Sequence, residues 1–369
     1  MNSGRRAICL HDYLDVPAVS YDVLRKRVLE IYKERVRIPK SSSFRDHSKR
    51  VAFRYMVKAE KAFQYIVTVL GRIARLPTIN SLSPFYAELL ELATNNMYDK
   101  LRREASQAVK IISNMWKEYR KRILEGDINA KRISIEFVGR ALSVIKRKVK
   151  TLPITKDISY IVHSTPCIDF EKPLIIVSGM PQVGKSTFIS KVSTAKPKTS
   201  PYPFTTKNVI IGHIMFGDVV IQIMDTPGIL DRSLEEMNEI ERKAVAALRH
   251  LKAVVIYIID VSKDSYYTLE QQVRVLDSVK GLVGRDKIII VLNKVDKTEK
   301  DVLEKVKNII TNMGYDKHIE MSALLGINVW VAIVEAISLY DKLFGTRYGE
   351  LIDLYSSSTI SNSGNFSSS

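Results

Sequence analysis

Gly179-Met180-Pro181-Gln182-Val183-Gly184-Lys185-Ser186 decides the reading of this chain. Two glycines separated by four residues and followed by Lys-Ser match a phosphate-binding loop. The match has force because of its flanks. Pro173 leads into Leu174-Ile175-Ile176-Val177, an apolar run of the kind that forms a buried strand, and the residues from Ser186 to Val192 read as a helix. A loop between such a strand and helix points backbone N–H groups, with the helix N-terminus, at an anion. Lys185 is then placed for the β- and γ-phosphates and Ser186 for Mg²⁺, with Pro181, Gln182, Val183 and Thr187 completing the lining.

Three later motifs follow in the order such a site requires. Asp225-Thr226-Pro227-Gly228 ends the apolar run from Val219 to Met224. There Asp225 can reach Mg²⁺ through water, and Gly228 can offer its N–H to a γ-phosphate. Asn293-Lys294-Val295-Asp296 ends the run from Ile288 to Leu292. The Asp296 carboxylate can accept hydrogen bonds from both N1–H and the exocyclic amine of guanine. Adenine offers no such pair, and polar complementarity of this kind discriminates by roughly 10⁴-fold. Ser322-Ala323 is positioned to meet the guanine carbonyl through backbone N–H. Between the loop and Asp225 lies Pro201-Tyr202-Pro203-Phe204-Thr205-Thr206-Lys207, where Thr206 can give its hydroxyl to Mg²⁺ and its N–H to a γ-phosphate. The expected cofactors are GTP or GDP with Mg²⁺. Ser186, Thr206 and Asp225 form the metal set, and Lys185, Thr206 and Gly228 are the groups to act on the reacting phosphate.

Working outward, strand-like runs (219–224, 254–259, 288–292) alternate with helical stretches. That alternation predicts an α/β P-loop G domain, a mostly parallel sheet with helices on both faces. Upstream the pattern is all helical. Ser20 can cap a helix carrying Leu24, Val28 and Ile31 on one face, and further helices are expected over about 46–74, from Pro84, over 98–124 and over 133–149. The predicted order is a basic helical bundle over 1–155, a linker over 156–172, the G domain over 173–345 and a Ser-rich disordered tail over 346–369.

The formal net charge is +17, and it is unevenly placed. Residues 1–170 hold 33 Lys and Arg against 17 Asp and Glu, whereas the rest of the chain is nearly neutral. Such asymmetry implies that the helical half meets a polyanion, although solvated basic helix faces give the same composition. The runs Arg25-Lys26-Arg27, Arg120-Lys121-Arg122 and Lys146-Arg147-Lys148-Val149-Lys150 are the candidate phosphate contacts. Phe53, Tyr55, Phe63 and Tyr65 lie among basic residues and fit either base stacking or a helical core; the core is the commoner use.

At Tyr202-Pro203-Phe204-Thr205-Thr206 the chain resembles the Obg–Nog branch of GTPases. At Asp225-Thr226-Pro227-Gly228-Ile229-Leu230-Asp231 and Ala247-Leu248-Arg249-His250-Leu251 it resembles the Nog family within that branch. Leu76-Pro77-Thr78-Ile79, Pro84-Phe85-Tyr86 and Gly139-Arg140 before Ile145-Lys146 extend the likeness into the helical half. The resemblance implies a GTPase assisting assembly of the large ribosomal subunit, with the helical domain on ribosomal RNA and the subunit precursor as partner. Two departures stand out. Ile229 occupies the place where many GTPases carry a water-orienting Gln, so slow hydrolysis is expected. Gln182 stands where potassium-activated relatives carry Asn, which predicts little response to K⁺. Residues 346–369 are expected to be a short tail, which on the resemblance implies an archaeal-type member of the family.

Cys9 and Cys167 make no disulfide or metal pattern and suit a reducing compartment. The longest apolar stretch is too short for a bilayer span and no signal-peptide core opens the chain, so a cytoplasmic monomer is expected. Two other functions stay open: a GTP-gated scaffold that barely hydrolyses, and a protein-targeting GTPase at a membrane. Relatives of the latter kind carry Thr-Lys-x-Asp at the guanine site, unlike Asn293-Lys294-Val295-Asp296.

Overall fold

The computed structural model describes residues 9–38, 46–125, 129–194, 198–232 and 234–352. They fall into two compact units, one spanning Leu10–His163 and the other Cys9 together with the chain from Ser164 onward. The expected disorder of the Ser-rich end, from about residue 356, lies outside the described residues.

The first unit is helical throughout. Its helices are α1 (Leu10–Tyr13), α2 (Tyr21–Lys33), α3 (His47–Ala74), α4 (Pro84–Thr94), α5 (Tyr98–Glu125), α6 (Ala130–Lys148) and α7 (Thr155–Ser164). The start signals act as their chemistry requires. The Ser20 hydroxyl accepts from Val23 N–H at 3.4 Å, and the Asp46 carboxylate accepts from Ser48 N–H at 2.9 Å. Ser83 caps α4, with Pro84 in its first turn. Helix α3 packs on α2, α5 and α6. Phe63 stacks on Trp116 with ring centroids 5.2 Å apart, and Phe137 lies 4.9 Å from Trp116. Phe53, Tyr55, Phe63 and Tyr65 are all half-buried, and Phe63 serves the core.

The stretch expected as a linker, 156–172, holds most of α7. Thr155 explains why this helix is part of the bundle. Its buried hydroxyl accepts from Val19 N–H at 3.0 Å and lies 2.8 Å from Val19 O, tying the start of α7 to the start of the chain.

The second unit is a seven-stranded sheet of β1 (Leu174–Ser178), β2 (Lys198–Pro201), β3 (Asn208–Phe216), β4 (Val219–Asp225), β5 (Ala253–Asp260), β6 (Ile288–Asn293) and β7 (His318–Met321). Its order is β2-β3-β4-β1-β5-β6-β7. Strand β1 pairs in parallel with β4 and β5, and β5-β6-β7 continue in parallel, while β2-β3 and β3-β4 are antiparallel. The helices are α8 (Lys185–Val192), α9 (Glu239–Ala246), α10 (Leu269–Val283), α11 (Lys300–Asn312) and α12 (Val329–Phe344). Strands β1 and β5 are buried at every position, which is why they read as unbroken apolar runs. Ile175, Val177, Ile256 and Ile258 pack with Phe188 of α8 and with Ile333 and Ile337 of α12. Residues 348–352, within the stretch expected as tail, are helical, and Ile352 belongs to this core.

The cysteine expectation is corrected. Cys9 and Cys167 are joined by a disulfide, with S–S 2.02 Å and Cα atoms 4.4 Å apart. They stand 158 residues apart in sequence, so no local spacing could announce the pair. With both cysteines in a disulfide, they give no support to a reducing compartment.

Candidate functional site

The strand order reverses at β1, whose neighbours β4 and β5 lead away on either side. In open α/β sheets that reversal opens a crevice at the carboxyl ends of the strands. Every site motif lies there or in the loops beyond. The segment Gly179–Gly184 leaves β1 and enters α8, Asp225 ends β4, Asp260 ends β5 and Asn293 ends β6.

Asn293 holds three of these segments together. Its side-chain amide donates to Val183 O at 2.7 Å, and its Oδ1 accepts from Ala323 N–H at 2.9 Å. Gly184, at φ +105°, lies so close that a Cβ there would stand 2.2 Å from Asn293 Nδ2. Only glycine permits both this backbone and this approach. The Ser322 N–H donates to Ile327 O at 3.2 Å, so both N–H groups of Ser322-Ala323 are engaged within the protein. Lys294, in the left-handed region at φ 68°, donates to Asp260 Oδ2 at 2.6 Å. Asp296 is exposed, with no hydrogen bond or ion pair among the described residues.

The sequence reading missed the support beneath Lys294. Asp260 is buried, and its Oδ1 accepts from Ser262 N–H at 3.0 Å and from the Ser262 hydroxyl at 2.7 Å. Gln272 of α10 brackets the Asp260 backbone, accepting from its N–H at 2.8 Å and donating to its carbonyl at 3.0 Å. The available signal was an acidic residue closing a wholly apolar strand.

At the phosphate end, the Lys185 amine is buried and donates to Gly179 O at 2.6 Å and Met180 O at 2.8 Å. Burial pushes its pKa below the usual lysine range, opposed by the negative charges of Asp231 and Asp225. Burial pushes the Asp225 carboxyl the other way, above the usual carboxylate range, against Lys185 and a hydrogen bond from Ser186. Ser186 Oγ lies 3.4 Å from Asp225 Oδ2, and Asp225 Oδ1 is buried without a hydrogen-bond partner among the described residues. A hydroxyl beside an under-satisfied buried carboxylate is a donor set that fits a hard divalent cation.

Thr206 is not brought to this pair. It is exposed and makes no hydrogen bond to Ser186 or Asp225 among the described residues. Its loop is fixed one turn earlier, where the buried Tyr202 hydroxyl donates to Ala244 O at 2.8 Å. Pro181 and Gly228 line a cavity of about 520 Å³, together with Lys207, Asp231 and Arg274. Gln182 is exposed at φ 65°, Thr187 is half-buried in the first turn of α8, and Ile229 is buried.

A phosphate-binding loop after the central strand, an acidic residue ending β4 and an Asn-Lys-x-Asp segment ending β6 define a P-loop G domain, here preceded by a helical domain. The chain belongs to the nucleolar GTP-binding protein 1 family. The profile of that family matches residues 239–296, and the profile of its N-terminal helical domain matches residues 25–169. Nucleolar GTP-binding protein 1 of Drosophila melanogaster is 35% identical over 67% of this chain and 38% of its own length. The Encephalitozoon cuniculi protein of the same name is 34% identical over 73% of this chain and 51% of its own. The chain thus spans between about a third and a half of the length of the curated relatives it matches. A crystal structure assigned as nucleolar GTP-binding protein 1 from Plasmodium falciparum is 32% identical, with a TM-score of 0.43, over 54% of this chain and all of that one. No helix among the described residues is long and apolar enough to cross a membrane.

Proposed function

We propose that this chain binds and hydrolyses GTP as a switch in assembly of the large ribosomal subunit, its helical half docking on ribosomal RNA. The observation that carries the nucleotide reading is the double tie of Asn293 to Val183 and Ala323, which joins the phosphate loop to the loops after β6 and β7. The RNA reading draws on the charge asymmetry of the chain and on the match of residues 25–169 to the family's helical domain. The relatives are named nucleolar, and we infer that compartment for this chain in place of the cytoplasm expected from composition.

In this reading Lys185 leaves its two carbonyl partners to meet the β- and γ-phosphates, and the amides from Gly179 to Thr187 line the phosphate path. Ser186 and Asp225 would hold Mg²⁺, with the Thr206 hydroxyl as a further ligand in the triphosphate-bound state. When bound, the metal would supply charge neutralisation at the phosphates. Gly228 donates to the third phosphate, and Asp296 selects guanine beside Lys294. Ile229 is buried and apolar, so no side chain at that position orients the attacking water. Hydrolysis by the isolated chain is then on the order of 10⁻³ s⁻¹ or slower.

Single-turnover hydrolysis with and without large ribosomal subunits tests the whole reading. Acceleration by subunits, abolished in Lys185→Ala, is the expected result. Tight GTP binding with no hydrolysis in either condition would instead favour the GTP-gated scaffold.

A further inference from the structure

Asp231 lies three residues beyond Gly228, and the nucleotide reading leaves it without a task. Its side chain is buried, and its Oδ2 accepts from Gly228 N–H at 2.6 Å, the short distance of a charge-assisted hydrogen bond. It also lies close enough to Lys185 for its negative charge to act on that amine, ahead of Asp225. The backbone donor assigned to a third phosphate, Gly228 N–H, is therefore already held by this carboxylate. We infer that Asp231 sets the preference of the site between tri- and diphosphate, because its carboxylate holds the Gly228 N–H that a third phosphate must take.

The inference rests on the GTP reading and adds an opposing ligand to it. A terminal phosphate and a carboxylate are chemically similar partners for an N–H donor, and both are anionic. They compete for the donor and repel each other. A diphosphate ends short of Gly228 and leaves the Asp231 contact intact, so only the triphosphate pays to break it.

Gly228 is suited to such an exchange. It stands at φ +73°, and a Cβ there would lie 2.6 Å from Lys207 Cδ, 2.7 Å from Cε and 2.8 Å from Cγ. Without a side chain its peptide can reorient under the Lys207 stem, turning its N–H from Asp231 to the phosphate. Asp231, Lys207 and Gly228 line the same cavity, so the carboxylate has room to withdraw.

The test is direct titration of the full chain with Mg²⁺ and GDP, GTP or a non-hydrolysable GTP analogue. Asp231→Ala should tighten the triphosphates on the order of tenfold, the value of a hydrogen bond to a charged group, and leave GDP within about twofold. Asp231→Asn keeps an acceptor but loses the charge, so it should move the GTP-to-GDP ratio the same way by less. An unchanged ratio in both variants, or equal loss of both nucleotides as from a merely structural turn, overturns the inference. Thermal melting without nucleotide reports whether each variant folds; if Asp231→Ala does not, the ratio in Asp231→Asn decides. Wild-type chain that binds neither nucleotide would reject the GTP reading itself, an outcome separate from a ratio that fails to move.

Discussion

Glu136 in the helical unit and Asp225 in the sheet unit are both carboxylates beside cations, yet their proton affinities move in opposite directions. Glu136 accepts from the Tyr119 hydroxyl at 2.7 Å and pairs with Arg140 at 2.9 Å. The Tyr119 hydrogen bond, then the positive charges of Arg140, Arg122 and Arg132, hold its carboxyl below the usual range. Asp225 has Lys185 nearby and a contact from Ser186, but its burial outweighs both. One carboxylate is placed where its charge is solvated and paired, and so supports the fold. The other is placed where its charge costs stability, which is the arrangement expected when a ligand supplies the missing compensation.

The same contrast governs the cations. Lys146, Arg147, Lys148 and Lys150 are exposed and make no ion pair among the described residues, while buried Val149 keeps their segment anchored. Lys185 and Lys294 are instead held by carbonyls or a carboxylate at fixed distances. On the proposed function, recognition in the sheet unit is geometric and stereospecific, and in the helical unit it is summed charge. Mutations should therefore change the identity of the ligand in one unit and the salt dependence of binding in the other.

The largest effect is expected at Asp296. Its carboxylate has no protein partner among the described residues, so Asp296→Asn should cost the fold little. An amide there donates where the carboxylate accepted, which favours xanthine over guanine. The preference between GTP and xanthosine triphosphate should swing by roughly 10⁴-fold. Nucleotide titrations read this directly, and a variant that kept its GTP preference would move the base away from Asp296.

Next in size is the salt response of the helical unit. A fragment ending at His163 retains Thr155 and its hold on Val19, which an end at residue 154 would remove. It should bind ribosomal RNA without nucleotide, whereas the chain from Ser164 onward should not. With several phosphate contacts, raising salt from about 50 to 200 mM should weaken binding on the order of 10³-fold. Replacing Lys146, Arg147, Lys148 and Lys150 together should flatten the log–log salt slope by about three. Binding without salt dependence would make the bundle a protein-docking module and leave the nucleotide site untouched.

The unequal legibility of the two units follows from the same physics. The candidate phosphate and base motifs are short, contiguous and set at strand ends, so where Gly179, Lys185, Asp225 and Asn293 fall in the fold could be read from spacing. The Ser20 cap and the helix start at Pro84 were equally local. What escaped was long-range: the Thr155–Val19 tie across 136 residues, the Cys9–Cys167 disulfide across 158, and the Gln272 clamp on Asp260. Strand β2 escaped for another reason. Lys198–Pro201 is polar, mostly exposed and edge-placed, so it carries no alternation to read. The role of Asp231 depends on where a turn places one oxygen, which residue order does not encode.

The smallest effects are in the pH dependence of stability without nucleotide, and there the two carboxylates should separate by sign. For Asp225 the folded carboxyl is raised, so protonation favours the folded state. The stability it contributes is full below the unfolded aspartate range near 3.9 and lost as pH rises through the raised value. Asp225→Asn removes that cost and should stabilise the chain at neutral pH by about 1 kcal/mol, or roughly 2–4 °C in melting temperature. The gain should shrink as pH falls toward 4, and the same variant should lose Mg²⁺-dependent nucleotide binding. For Glu136 the folded carboxyl is lowered, so its stability is full above the unfolded glutamate range near 4.3 and lost as pH falls through the lowered value. Glu136→Gln should therefore destabilise the chain at neutral pH, and the difference from wild type should vanish in acid. Melting curves of the two variants between about pH 2 and 8 decide the matter. If Asp225→Asn were destabilising at neutral pH, the buried carboxylate would be compensated within the protein itself, and the case for a cation between Asp225 and Ser186 would fail.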